Sequence, residues 1–368
     1  MDGEVSLACT FNPHFWGCAA ELKQKLGICS VAWVMNTPCE SMICNNNISD
    51  PGEYMDTDLM RALPDKLTTF DGLAGSAQSN ARFMTRSGVA MLGVALRLTS
   101  KLSTKAGAQL GYRILSQPPR FKTPDREKAS YASARHVRVP FGMRSLKVLE
   151  WGQGPTVLLV HCWGGRATQL CEFVEALVSQ GLRVVSFDGP AHGESDGKRT
   201  DMFEFSEALA TVAQSVAPVE GVIAHSFGAA MTLLARRDLG LSAKRFVLIS
   251  SFKSCDWFLD AFGQFFRTPP SLIQQLKTDF EARRGAPVKW AQLSMIEVIA
   301  QVQEPILLVH DRSDAEIPFA HAELLQRASN GAELLATDGL GHRRILRDPS
   351  VIRQAVQFVS SDRQGALL

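Results

Sequence analysis

Residues 221–230 read GVIAHSFGAA: a short apolar run stops on a serine set among small residues, and two alanines follow. A serine in that place is a turn residue, a helix N-cap or a nucleophile. Ala224-His225-Ser226-Phe227-Gly228 approximates the pattern G-x-S-x-G, in which small neighbours let a strand turn sharply into a helix. Such a turn holds the hydroxyl at the helix N-terminus, where the dipole and free N–H groups favour developing negative charge. These ten residues alone leave a capping serine open beside a nucleophile.

The flanking sequence supplies the fold. Short apolar runs recur at 136–141, 145–151, 156–160, 182–188, 221–225, 245–250, 305–310 and 332–337. The first two alternate, as half-buried antiparallel strands do, and the later ones are continuous, as strands covered on both faces are. Helical segments are expected between them at 167–180, 201–216, 227–238, 318–328 and 349–360. Strand–helix alternation with short connections predicts an α/β fold: a mostly parallel, doubly wound, eight-stranded sheet with right-handed crossovers. The interval 252–302 is too long for an ordinary crossover, and it carries Phe252, Trp257, Phe258, Phe262, Phe265 and Phe266. It reads as a small helical cap, in which Trp257, Phe258 and Phe262 are candidate substrate-binding residues.

Ligands of such a sheet bind beyond the carboxyl ends of the strands, and four of those ends carry chemistry. Ser226 is the first. The run TVLLV leads into His161-Cys162-Trp163-Gly164-Gly165, a glycine-rich turn able to aim backbone N–H groups at a substrate. The amides of Trp163 and Phe227 are the expected oxyanion donors, against the alternative of a merely structural turn. PILLVH leads into Asp311-Arg312-Ser313-Asp314, where Asp314 in the loop is preferred to Asp311, which adjoins the strand and more naturally ties down the turn. Finally, of eight histidines, His342 is the loop histidine placed after the last strand to reach Ser226. The reading is a triad: Ser226 attacks a carbonyl carbon, His342 takes and returns the proton, and Asp314 fixes the imidazole tautomer.

These residues resemble those of the α/β-hydrolase superfamily over about residues 134–362. HCWGG (161–165) is similar to its H-G-x-G-G oxyanion turn, with Cys162 at a usual glycine, and FDGPAHGESDG (187–197) resembles its D-x-P-G-H-G-x-S loop, with Ala191 at another. AHSFG is similar to the Ala-x-Ser-x-Gly elbow of some bacterial lipases. GLGHRRILRDP, with a preceding helix and a P-P-R connector, looks like a group of bacterial α/β hydrolases with a short helical cap. The resemblance implies a serine hydrolase acting on small-molecule carboxylic esters of short to medium acyl chain, with no cofactor and no metal. Thioester hydrolysis, acyl transfer and cofactor-free perhydrolysis use the same triad, and a non-enzymatic, ligand-binding relative is a further alternative. A carboxylate nucleophile would be needed for dehalogenation, and Ser226 stands there instead.

The remainder bounds partners. With 39 Lys+Arg against 37 Asp+Glu, and no basic block interleaved with aromatics, nucleic acid is not expected as a partner. Residues 1–80 lack periodicity and read as a loop-rich leader; 81–133 read as an amphipathic helix and a Pro-rich connector; 134–362 form the hydrolase domain. Met91, Ala95, Leu98, Leu102, Ala106, Leu110 and Ile114 recur at helical spacing, so a helix over 88–116 is expected to pack that face on the body. The other reading of that face is contact with a membrane surface or lipid. Five cysteines lie at 9, 18, 29, 39 and 44 with no C-x-x-C pair, which predicts reduced thiols in a cytoplasmic protein rather than a zinc or disulfide framework.

Overall fold

The computed structural model describes residues 86–285 and 287–364. The leader expected at 1–80, with its five cysteines, lies outside the described residues. The sheet and the site lie in one compact unit, formed among the described residues by 86–280 and 288–364.

The eight apolar runs become strands of one sheet, in the order β1-β2-β4-β3-β5-β6-β7-β8. β1 (Arg135–Phe141) and β2 (Arg144–Trp151) form an antiparallel hairpin, and β2 also runs antiparallel to β4 (Arg183–Phe187). β3 (Thr156–Val160), β4, β5 (Val219–His225), β6 (Arg245–Ile249), β7 (Ile306–Asp311) and β8 (Glu333–Thr337) are parallel. The central strands are buried from end to end because helices cover both sheet faces, which is why their sequences are continuously apolar. Alternate residues serve two cores: Leu158, Val160, Val222 and Leu248 face one side, and Val157, Leu159, Ile223 and Val247 face the other.

β2 departs from the expected half-buried strand. It lies inside the sheet, so Leu146 to Trp151 are all buried, including Lys147 and Glu150. Their charges are matched locally, Glu150 by Arg135 and by Arg183 at 2.9 Å. Only the edge strand β1 alternates, with Val137 and Val139 turned inward.

The segment 88–116 also differs from expectation. It is two helices, α1 (Arg86–Leu102) and α2 (Thr104–Leu115), broken at Ser103, whose extended backbone lets its hydroxyl cap the Ala106 amide. On α1 the faces are reversed too, whereas on α2 the expected Leu110 and Ile114 do pack against the core. Gly93, Leu96 and Ser100 of α1 and Gly107, Ala108 and Gly111 of α2 point inward, and a β-carbon on Gly107 would lie 2.3 Å from the Ser100 Oγ. The inward stripe is small because the two helices pack backbone to backbone. Met91, Leu98 and Leu102, expected to pack, are exposed instead.

The connector that follows is tied into the sheet domain. Arg120 donates to the carbonyls of Ala191, Ser195 and Gly197 at 2.8 to 2.9 Å. In α3 (Asp125–Ser133), the buried Glu127 carboxylate accepts from Arg166 at 2.8 Å and from the Thr168 hydroxyl at 2.7 Å. Beyond β3, α4 (Glu172–Ser179) follows, then α5 (Met202–Ser215) after β4 and α6 (Phe227–Leu239) after β5. The interval between β6 and β7 is helical, holding α7 (Cys255–Phe265), α8 (Pro270–Arg284) and α9 (Met295–Ile299). α10 (Ala320–Ala328), the short α11 (Gly341–Arg344) and α12 (Pro349–Gln364) complete the described residues.

Candidate active site

The serine sits in a strained turn. β5 ends at His225 and α6 starts at Phe227, so Ser226 alone makes the reversal, at φ 55° and ψ −119°. A side chain in that region of backbone space costs on the order of 1–3 kcal/mol and persists only where its surroundings enforce it. Enforcement here comes from the Ser226 N–H, which donates to the Ile249 carbonyl of β6 at 2.8 Å, and from close packing at Gly228. A β-carbon at Gly228 would lie 2.4 Å from the His161 carbonyl and 2.9 Å from Val160. Ala224 occupies ordinary strand backbone between Val160 and Leu248, so alanine in place of the pattern's first glycine adds no strain.

Three strand ends converge on this serine. The His342 Nε2 lies 3.0 Å from Ser226 Oγ, and the His342 Nδ1 lies 2.8 Å from Asp314 Oδ2. The other oxygen of Asp314 accepts from the Glu316 and Ile317 amides at 2.8 and 2.9 Å, so the carboxylate cannot rotate away. A carboxylate on Nδ1 demands a proton there, which leaves the Nε2 lone pair facing the serine hydroxyl. Asp311 is occupied elsewhere. It accepts from the Ser313 and Leu340 amides at 2.9 Å each and from the Thr337 hydroxyl at 2.7 Å, and so ties the β7 turn to the β8 turn.

Burial by itself would raise the Asp314 carboxyl, but hydrogen bonds from His310 and His342 outweigh it and hold the group far below the usual carboxylate range. For His342, burial works to lower the pKa, while Glu316 and Asp314 outweigh it and raise the ring above its ordinary value. Glu316 is a second carboxylate at this site: its Oε2 stands 3.9 Å from His342 Nε2, and its Oε1 accepts from Arg343 at 2.9 Å. Two buried histidines support the triad. His225 Nε2 donates to the His342 carbonyl at 2.9 Å, and His310 Nε2 donates to the Ile317 carbonyl at 2.9 Å while lying 3.4 Å from Asp314 Oδ2. Sequence reading passed over His225, His310 and Glu316. Each adjoins a recognised motif, but only the fold brings them to the triad.

The turn after β3 lies beside the elbow. Gly165 N–H donates to the Cys162 carbonyl at 2.9 Å, and Gly164 takes φ 68°. Cys162 is outside the left-handed region, so a thiol replaces glycine here without backbone strain, and Gln169 clamps it from both sides, accepting from the Cys162 amide at 2.8 Å and donating to Sγ at 3.0 Å. The Trp163 ring meets the Phe227 ring edge-on at 4.9 Å, so the two residues expected to supply oxyanion amides are neighbours. Phe227 heads α6, where first-turn N–H groups have no partner within the helix. The loop at 187–197 braces this turn: Gly189 N–H donates to His161 Nε2 at 2.9 Å, and Asp188 accepts from Ala167 at 2.6 Å. Ala191 holds φ 61° in that loop, keeping the left-handed conformation a glycine would take freely.

Comparison with known proteins places the fold. The sequence profile of the Alpha/beta hydrolase family matches residues 157–355, from β3 into α12. The chain belongs to the α/β-hydrolase family. A candidate lipase from Acinetobacter baumannii has a similar structure, at 18% identity and a TM-score of 0.50, covering 65% of this chain and 95% of that one. An esterase from Exiguobacterium antarcticum, at 15% identity and 0.49, covers 61% of this chain and 100% of its own. A thioesterase domain from the curacin biosynthetic pathway, at 15% and 0.47, covers 62% and 99%. At these identities the likeness is one of fold. No curated protein matches the chain.

In this hydrolase a narrow apolar space opens beside Phe227. Trp163, Phe258, Met202 and Phe280 line it, together with Leu115 at the end of α2. Of the three cap aromatics named from sequence, the structure brings only Phe258 here, 5.5 Å from the Phe227 ring. Trp257 packs edge-on against His321 at 4.5 Å, and Phe262 against Phe266 at 5.0 Å. On one helix those side chains point in different directions, which a count of aromatics does not reveal.

Proposed function

We propose that this protein is a serine hydrolase that cleaves carboxylic esters through an acyl-enzyme. The observation that carries the reading is the unbroken relay from Asp314 through His342 to Ser226 Oγ, at 2.8 and 3.0 Å. In this reading His342 Nε2 takes the hydroxyl proton as Ser226 Oγ bonds to the ester carbon. The carbonyl oxygen becomes an oxyanion held by the Trp163 and Phe227 amides. The tetrahedral intermediate collapses, His342 gives its proton to the leaving alkoxide, and a water activated by the same nitrogen then frees the acid. Asp314 keeps its charge throughout and stabilises the transient imidazolium. The tight apolar space beside Phe227 and Phe258 suits a short to medium acyl chain.

The test is hydrolysis of p-nitrophenyl esters of graded chain length by the purified protein. Ser226→Ala is expected to lower kcat by about 10⁴-fold or more, and an active-site serine probe is expected to label the wild type but not the variant. Full activity in Ser226→Ala would refute the assignment.

A further inference from the structure

The outward face of α1 carries Met91, Val94, Leu98 and Leu102, exposed to 71%, 45%, 56% and 88%. Their spacing of three, four and four residues puts them on one stripe of the helix, opposite the inward Gly93, Leu96 and Ser100. Only six large hydrophobic side chains are exposed among the described residues, and these are four of them. Isolated exposed apolar residues are ordinary; four of them on one stripe of a single helix form a patch to cover.

The charges around this stripe have one sign. From Arg86 to Pro124 the sequence contains seven Lys and Arg (86, 97, 101, 105, 113, 120 and 122) and no Asp or Glu. Arg97 and Arg120 are spent on backbone carbonyls. Lys101 and Lys105 are exposed and adjoin Leu98 and Leu102 on the helix and just past its break. No described helix is long and apolar enough to cross a membrane. An exposed apolar stripe whose own segment carries cations and no acids, on a helix at the surface of the protein, matches a bilayer interface rich in anionic lipid. A second protein with a mixed-charge surface would gain nothing from the missing acids.

We propose that α1 docks this protein on anionic membrane surfaces, with Met91, Val94, Leu98 and Leu102 inserted among the acyl chains and Lys101 and Lys105 at the headgroups. The docking does not depend on the hydrolytic reading, and its test reads binding rather than turnover.

The full chain is to be co-sedimented with vesicles of phosphatidylcholine alone and of phosphatidylcholine mixed with phosphatidylglycerol, at low and high KCl. Binding is expected to the mixed vesicles and to weaken with salt. Leu98→Ser with Leu102→Ser should reduce partitioning by about tenfold or more. Lys101→Glu with Lys105→Glu should abolish the preference for anionic lipid. Far-UV circular dichroism and turnover of a soluble ester should match wild type in both, since all four side chains face solvent. Failure to bind mixed vesicles would overturn the proposal. So would binding that the leucine pair does not affect, or a concentration-dependent dimer that this pair dissolves in the absence of vesicle binding.

Discussion

His225 donates its Nε2 proton to the main-chain carbonyl of His342, 2.9 Å away, with the two rings 4.7 Å apart. The residue before the nucleophile thereby fixes the backbone that carries the base, so elbow and base move as one piece. His225 is fully buried and burial drives its pKa well down, so the ring is neutral and its one proton is committed to that carbonyl. His225→Leu should leave the fold intact by circular dichroism and lower kcat for a soluble ester by about 10- to 100-fold, with KM little altered. His225→Gln, which retains an N–H donor, should recover part of the loss. Equal rates in all three proteins would show that His342 is held by other means.

Glu316 sets where the base titrates. Its carboxylate lies 3.9 Å from His342 Nε2 and favours the imidazolium, which the reaction cannot use as a base. The rate should therefore rise with pH through a midpoint above the ordinary histidine value. Glu316→Gln should move that midpoint to lower pH and leave more activity at roughly pH 5–6. A midpoint that stays put, or rises, would assign the raised pKa to Asp314 alone.

The two aspartates near β7 should fail in different ways. Asp314→Asn puts an amide against His342 Nδ1, stabilises the wrong tautomer and should lower kcat by about 10⁴-fold with the melting temperature nearly unchanged. Asp311→Asn replaces one of the two acceptor oxygens with an NH2 donor, so the three hydrogen bonds at both oxygens cannot all persist, and it should destabilise the fold by about 1–3 kcal/mol. Its kcat should hold within a few-fold. If Asp311→Asn were the more damaging to kcat at a temperature where both are folded, the acid would be misassigned.

Acid should unfold this protein early. Burial lowers the pKa of His161, His192, His225 and His321, the last to about 3. Because each folded value lies below the unfolded one, each contributes stability that is complete above roughly pH 6.5. That stability is lost as pH falls, by about 1.4 kcal/mol per pH unit for each proton taken up on unfolding. His342, raised in the fold, has the opposite sign: its share is complete below the ordinary histidine value and is lost as pH rises through its folded one. Four sites outweigh one, so the urea midpoint should drop between pH 7 and pH 5, well before the stability tied to Asp314 is touched. A flat profile over that range would mean the buried rings are already protonated.

The sheet was legible because continuous apolar runs such as TVLLV have no other use at that length, and strand ends such as His225-Ser226 announce themselves through small residues. The orientation of 88–116 was not. Periodicity ranks faces by hydrophobicity and so selected Met91, Leu98 and Leu102, whereas the packed face sets Leu96 among Gly93, Ser100, Gly107 and Gly111, small residues that add little on that scale yet permit close approach. The cap aromatics failed for a related reason: Trp257 and Phe262 pack, half-buried, against His321 and Phe266, away from the space beside Phe227. His225 and Glu316 could have been found only by knowing that residues 225, 316 and 342 meet, which is tertiary information.

Glu127 and Arg120 have a consequence for how much chain this catalyst needs. The family match begins at Val157, and a fragment started there would keep Ser226, Asp314 and His342. It would also strand the Arg166 guanidinium and the Thr168 hydroxyl just past the glycine turn, and free three carbonyls of the 187–197 loop. The segment ahead of the recognised domain works as its splint, set outside the part that sequence comparison can see.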